Sequence, residues 1–182
     1  MVKSKKSYQN IWWWALATVV LGTIWHFVYQ ISGDNLAVGL VAPINESVWE
    51  HLKIVFTPLL IVGIVQYIVA KKDRNSYWTG LLMGMAMAML IVIFGFYLYS
   101  SLLGENLLID IGLYIASIIV AVYVAAFVRS TLKTTKVLDG VSIIIIVAIG
   151  LALVYLTIAP PKFAPFIENS SGTYGIFKTP AN

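Results

Sequence analysis

The chain has 182 residues, of which 60% are hydrophobic and 11% charged, against about 45–50% and about 25% in soluble domains. So few charges cannot cover a water-exposed surface. A soluble enzyme or carrier is therefore excluded, and the expected class is all-α, a polytopic membrane helix bundle. The absence of cysteine excludes disulfides, thiolate zinc sites and cysteine nucleophiles. The net charge of +4 sits in short basic clusters between apolar runs, not on one patch, so it reads as a topology signal and no nucleic-acid partner is expected.

A helix crosses bilayer hydrocarbon with about 20 mostly apolar residues. Five segments qualify: 11–31, 46–70, 77–100, 107–129 and 140–159. Together they make residues 1–159 a five-helix transmembrane domain, followed by a tail over 160–182. The stretch 36–43 (LAVGLVAP) is too short to span and reads as a loop or short helix at the interface. With an odd number of spans, Lys3, Lys5, Lys6, Lys71, Lys72, Arg74, Arg129, Lys133 and Lys136 fall on one face, and Lys53, Lys162 and Lys178 on the other. Nine against three predicts a cytoplasmic N-terminus and an outer C-terminus. The basic start also resembles a secretory signal, but Trp25, His26, Phe27 and Tyr29 stand where a small-residue cleavage site would lie. Trp12, Trp13 and Trp14 at one end of the first span, and Trp25 and Tyr29 at the other, fit interfacial anchors. Gly80, Gly84 and Ala88 form a row that admits a second helix closely.

The acids run opposite to the bases. Asp34, Glu46, Glu50, Glu105, Asp110 and Glu168 are expected at the outer face with both histidines, His26 and His51, while Asp73 and Asp139 lie inside. The densest piece is APINESVWEHLKIVFTP (42–58). Asn45 suits an N-cap, with Glu46 in the first turn. Helical spacing then sets Glu46, Glu50, Lys53 and Thr57 on one stripe, and Ser47 and His51 on the next. His26 and Asp110 reach the same depth from other spans. These groups are expected to share an outer pocket with Asn45, Trp49, Lys53 and Tyr174.

Two imidazoles and two carboxylates, His26, Glu46, Glu50 and His51, form a ligand set suited to a divalent metal such as Zn, Fe or Mn. A metal-bound water with Glu50 as general base would give a membrane-embedded hydrolase acting on a lipid or other small amphiphile. The plainer reading makes Glu50 and Lys53 an i, i+3 ion pair and His26 a buried histidine with a helix partner. Two further functions compete: a solute-binding or transport subunit recognising a cationic or polar small molecule, and a non-catalytic partner of another membrane protein docked through the Gly80 row. The aromatic tail (Phe163, Phe166, Tyr174, Phe177) is expected either to fold back across the outer face, lidding the pocket, or to lie on the headgroups.

Residues 21–58, with His26 and the Asn-Glu-Ser-Val-Trp-Glu-His-Leu-Lys block at 45–53, resemble a family of small bacterial integral membrane proteins classed as a domain of unknown function. A Gly-Thr-Tyr-Gly-Ile element at 172–176 adds to the match. The resemblance implies the bacterial plasma membrane. It brings no established activity, and no site residue is carried over from it.

Overall fold

The computed structural model describes residues 10–69 and 74–180. Lys3, Lys5, Lys6, Lys71, Lys72 and Asp73, on which part of the charge count rests, lie outside the described residues. Among the described residues, five helices are long and apolar enough to cross a membrane: α1 (Ile11–Ile31), α3 (Val48–Val69), α4 (Tyr77–Leu103), α5 (Leu107–Thr131) and α6 (Lys136–Ile158). A single helical turn, α2 (Leu36–Gly39), lies within the stretch too short to span. α4 and α5 run further than the apolar runs predict, because Ser101–Leu103 and Ser130–Thr131 extend them by polar or boundary residues that a hydropathy window discounts.

Local chemistry sets the ends. The Asn106 side chain accepts from Leu108 and Ile109 N–H at 2.9 and 3.3 Å, capping α5. Thr135 accepts from Leu138 N–H at 3.2 Å, capping α6. α4 begins after Ser76, whose φ of 56° leaves the helical path. Its first amides are satisfied from another helix: Tyr77 and Thr79 N–H donate to the Asp139 carboxylate of α6 at 3.2 and 3.0 Å. An anion there also suits the positive end of the helix dipole.

Successive helices alternate in direction, giving the bundle two ends. One carries His26, His51 and Asp110, and the other Trp14, Tyr77, Arg129 and Asp139. The first is the histidine end and the second the arginine end. The Gly80–Gly84–Ala88 row faces α5 within the same chain. A Cβ on Gly84 would stand 2.5 Å from Ala121 O, and one on Gly80 2.7 Å from Ala125 O. The contact that the small residues permit is therefore already filled. α1 approaches α3 in a related way. Pro58 removes the amide that would bond Ile54 O, and Gly22 packs there so closely that a Cβ would stand 2.9 Å from that oxygen.

The tail returns to the histidine end. A three-residue turn (Ala164–Phe166) leads into β1 (Ile167–Glu168), β2 (Thr173–Tyr174) and β3 (Thr179–Pro180), an antiparallel sheet in the order β1-β2-β3. Ile167 pairs with Tyr174, and Tyr174 with Thr179. Ile176 N–H donates to Thr157 O at 3.0 Å, tying the tail to the end of α6. Gly175, at φ 61°, lies so close to Thr157 O that a Cβ would stand 2.7 Å from it.

The glycine contacts give a direct test. Gly84→Ala, which drives a methyl into the α5 backbone, is expected to cost about 1–3 kcal/mol. Gly112→Ala meets nothing within 4 Å and is expected to be neutral or slightly stabilising, by up to about 1 kcal/mol. Reversible unfolding of both variants in mixed micelles measures the difference, and equal stabilities would refute the packing assignment.

Candidate functional site

The histidine end is organised around a buried ion pair. Lys53 is 1% and Glu50 2% exposed, and Lys53 Nζ lies 2.7 Å from Glu50 Oε2. Lys53 spends its other two protons on Gly39 O at 2.8 Å and Ala42 O at 3.3 Å. Glu50 Oε2 also accepts from Ile44 N–H at 3.1 Å, and Oε1 accepts from the Thr157 hydroxyl at 2.8 Å. These bonds clamp the loop between α2 and α3 onto α3 and α6. Trp25 Nε1–H and the Thr57 hydroxyl add to the clamp by donating to Val41 O at 2.9 and 3.2 Å. Glu50, a candidate base and metal ligand by sequence, thus has both oxygens engaged.

α3 starts two residues later than its apolar run implies. Glu46 therefore lies in the loop, off the helical stripe on which the sequence sets it. The Asn45 side chain accepts from Ser47 N–H at 3.0 Å, and Ser47 Oγ accepts from Glu50 N–H at 3.3 Å, so Ser47 supplies the contact expected of Asn45. The difference follows from Glu50: its bond to Ile44 N–H folds the chain back before the helix begins.

This turn presents Glu46 to two imidazoles. His51 Nε2 lies 3.4 Å from Glu46 Oε2, and His26 Nε2 3.6 Å from Oε1. The two rings are 5.6 Å apart, and His51 Nδ1 donates to Ser47 O at 2.9 Å. His26 Nδ1 is buried with no hydrogen-bond partner among the described residues. The hydrogen-bonding approach of His51 holds the Glu46 carboxyl below its ordinary value. Burial opposes that lowering, and the charges of His51 and His26 add to it.

Beside the cluster, Glu46, His51 and Asp110 border a pocket of about 80 Å³ between α3, α4 and α5. Its walls are Val55, Val92, Phe96, Leu113 and Tyr114. Tyr99 donates its hydroxyl to the Asp110 carboxylate across the α4–α5 turn. The structure thus brings Glu46, His51 and Asp110 to one pocket and His26 to its edge. Other candidates lie elsewhere. Trp49 stacks on Phe166 at 4.6 Å. Tyr174 is buried within the tail sheet, and neither lines the pocket. The tail instead covers the clamp and reaches the α4–α5 turn, where Asn169 donates to Glu105 at 2.6 Å. Among the described residues, no group of three or more His, Asp or Glu side chains is disposed to hold a metal ion. Thr157 is the participant the sequence reading passed over. Its signal was a hydroxyl near the end of an otherwise aliphatic span, where an unpaired polar group is costly.

Lys53→Met strands a buried carboxylate and is expected to cost about 3–5 kcal/mol. Glu50→Gln combined with Lys53→Met leaves no buried charge and should unfold closer to wild type, an order that reversible unfolding in micelles would check. A carboxyl held below its ordinary value of 4.5 contributes stability that is present above that value and lost as pH falls through its lowered folded value. Glu46→Gln should therefore flatten the acid limb of the unfolding profile, and identical limbs in the two proteins would refute the pairing.

The model of one family matches residues 1–176 of the chain. Neither the curated proteins nor the solved structures give a match. With its five apolar helices and nearly its whole length matched, the chain belongs to the family of unknown function DUF6512.

Proposed function

We propose that this chain is a multi-pass membrane protein that takes up a small organic cation, of the amine or guanidine class, in the pocket at its histidine end. One observation carries the reading: Glu46 and Asp110 border the same apolar-walled pocket beside His51, and among the described residues no lysine or arginine does. Lys53, the base nearest in sequence, is withdrawn into its pair with Glu50. Two carboxylates between low-dielectric walls favour a cation and repel anions. The aromatic rings of Phe96 and Tyr114, which line the pocket, also suit a cation. The excess of lysine and arginine on the opposite side supports an outward orientation, with the bacterial plasma membrane as the location implied by the family resemblance.

The hydrolase reading has less support, because its base, Glu50, has no free oxygen. The partner reading loses its contact row to α5. A divalent metal has less support too: imidazole and carboxylate are suitable donors, but among the described residues no group of three or more His, Asp or Glu side chains is disposed to hold one.

A thermal-shift panel of small guanidines and primary amines on detergent-purified protein tests the proposal. A ligand at about 100 times its Kd should stabilise the folded state by about 2.7 kcal/mol. Glu46→Gln and Asp110→Asn should each weaken binding roughly tenfold. No shift with any cation would overturn the reading. Elemental analysis showing stoichiometric metal that is lost in His26→Ala and His51→Ala would replace the organic cation with a metal.

A further inference from the structure

A second cavity lies in the same interface, toward the arginine end. It is about 20 Å³ in volume, bordered by Thr18, Leu59, Met85, Ala121, Gln66 and Arg129, with room for roughly one water. The two cavities are stacked along the same helices. Val55 of the first and Leu59 of the second are one turn apart on α3, about 6 Å along the axis. On α5, Tyr114 borders the first and Ala121 the second, with Ile118 between them. On α4, Val92 and Met85 stand in the same relation, with Ala88 between. Ile118 and Ala88 are both 0% exposed. One buried apolar layer therefore separates the two spaces.

The far cavity ends on a positive charge. Arg129 donates from Nη1 to Gln66 Oε1 at 3.1 Å and from Nε to Ala125 O at 3.1 Å, and its guanidinium lies 4.8 Å from the centre of the Tyr77 ring. Among the described residues, the ion pairs involve His26, His51 and Lys53, and none involves Arg129. The two cavities thus carry opposite charge, acidic at the histidine end and basic at the arginine end. An apolar constriction holds back water by dewetting, and a fixed arginine raises an electrostatic barrier to cations.

We propose that the two cavities are halves of one interrupted passage through the bundle, in which the layer at Ile118 stops water and Arg129 turns back cations. The cation barrier rests on the reading that the first pocket admits a cation. The water barrier does not, which lets the experiment separate the two.

Proteoliposomes provide the test, with guanidinium at low concentration as the probe and light scattering after an osmotic step as the water assay. Wild type should pass neither. Ile118→Ala should raise water permeability severalfold while guanidinium stays out. Ile118→Ala with Arg129→Gln should admit guanidinium roughly tenfold faster than Ile118→Ala alone, and Ile118→Ala with Arg129→Lys should not. Ile118→Thr, β-branched like isoleucine but one carbon shorter and polar, wets the layer with less loss of volume than Ile118→Ala and replaces it throughout should that variant fail to fold. Folded protein whose water permeability stays at the vesicle baseline would overturn the passage. Equal guanidinium flux with Arg129→Lys and Arg129→Gln would overturn the charge barrier. Failure of guanidinium to bind detergent-solubilised wild type would sink the cation reading for this probe, and leave the water result to decide the passage.

Discussion

A lysine and a glutamate that are almost wholly buried hold the loop between α2 and α3 against the ends of α3 and α6. Removing two charges from water is costly, and their mutual attraction offsets that cost only when the remaining donors and acceptors are also engaged. Here they are engaged by the carbonyls of Gly39 and Ala42, the amide of Ile44 and the hydroxyl of Thr157. The pair thereby converts a segment too short to span the membrane into a defined ledge. Glu46 stands two residues beyond Ile44, so its approach to His26 and His51 depends on that ledge. The acidic pocket is in this sense a consequence of the Glu50–Lys53 contact, which itself takes no part in lining it.

The two ends of the bundle are secured by the same rule with different chemistry. In a lipid environment, backbone polar groups need partners inside the protein. At the arginine end Asp139 receives the first amides of α4, and Thr79, Ser142 and Ser76 extend the network toward α6 and the connecting loop. At the histidine end the tail supplies partners, through Ile176 to α6 and Asn169 to the α4–α5 turn. Between them α4 and α5 approach to backbone distance at Gly80 and Gly84. That contact sets the spacing of the walls on which Asp110, Tyr114, Ile118 and Arg129 stand.

Charge separation along this interface is what joins the pocket to the far cavity as a functional question. Glu46 and Asp110 border one space and Arg129 the other, with Ile118 and Ala88 between. On the proposed reading, a cation attracted at one end would meet a buried apolar layer and then a like charge.

Composition and apolar run length alone determined the membrane class, the five spans and, to within a few residues, where each begins and ends. A spanning helix must satisfy its backbone internally, and that demand is written in consecutive residues. The Glu50–Lys53 pair was also legible, because i and i+3 are neighbours on any helix. The tertiary structure alone decided which polar groups share a space. His26, Glu46 and Asp110 come from different elements, and no periodicity within one helix reports its rotation against another. The sequence pattern set Glu46 and Glu50 on one face. A bond from the Ile44 amide to Glu50 moved the helix start and parted them, one to the pocket and one to the clamp. That bond uses a backbone donor, which every residue but proline carries, so no side-chain pattern could have announced it.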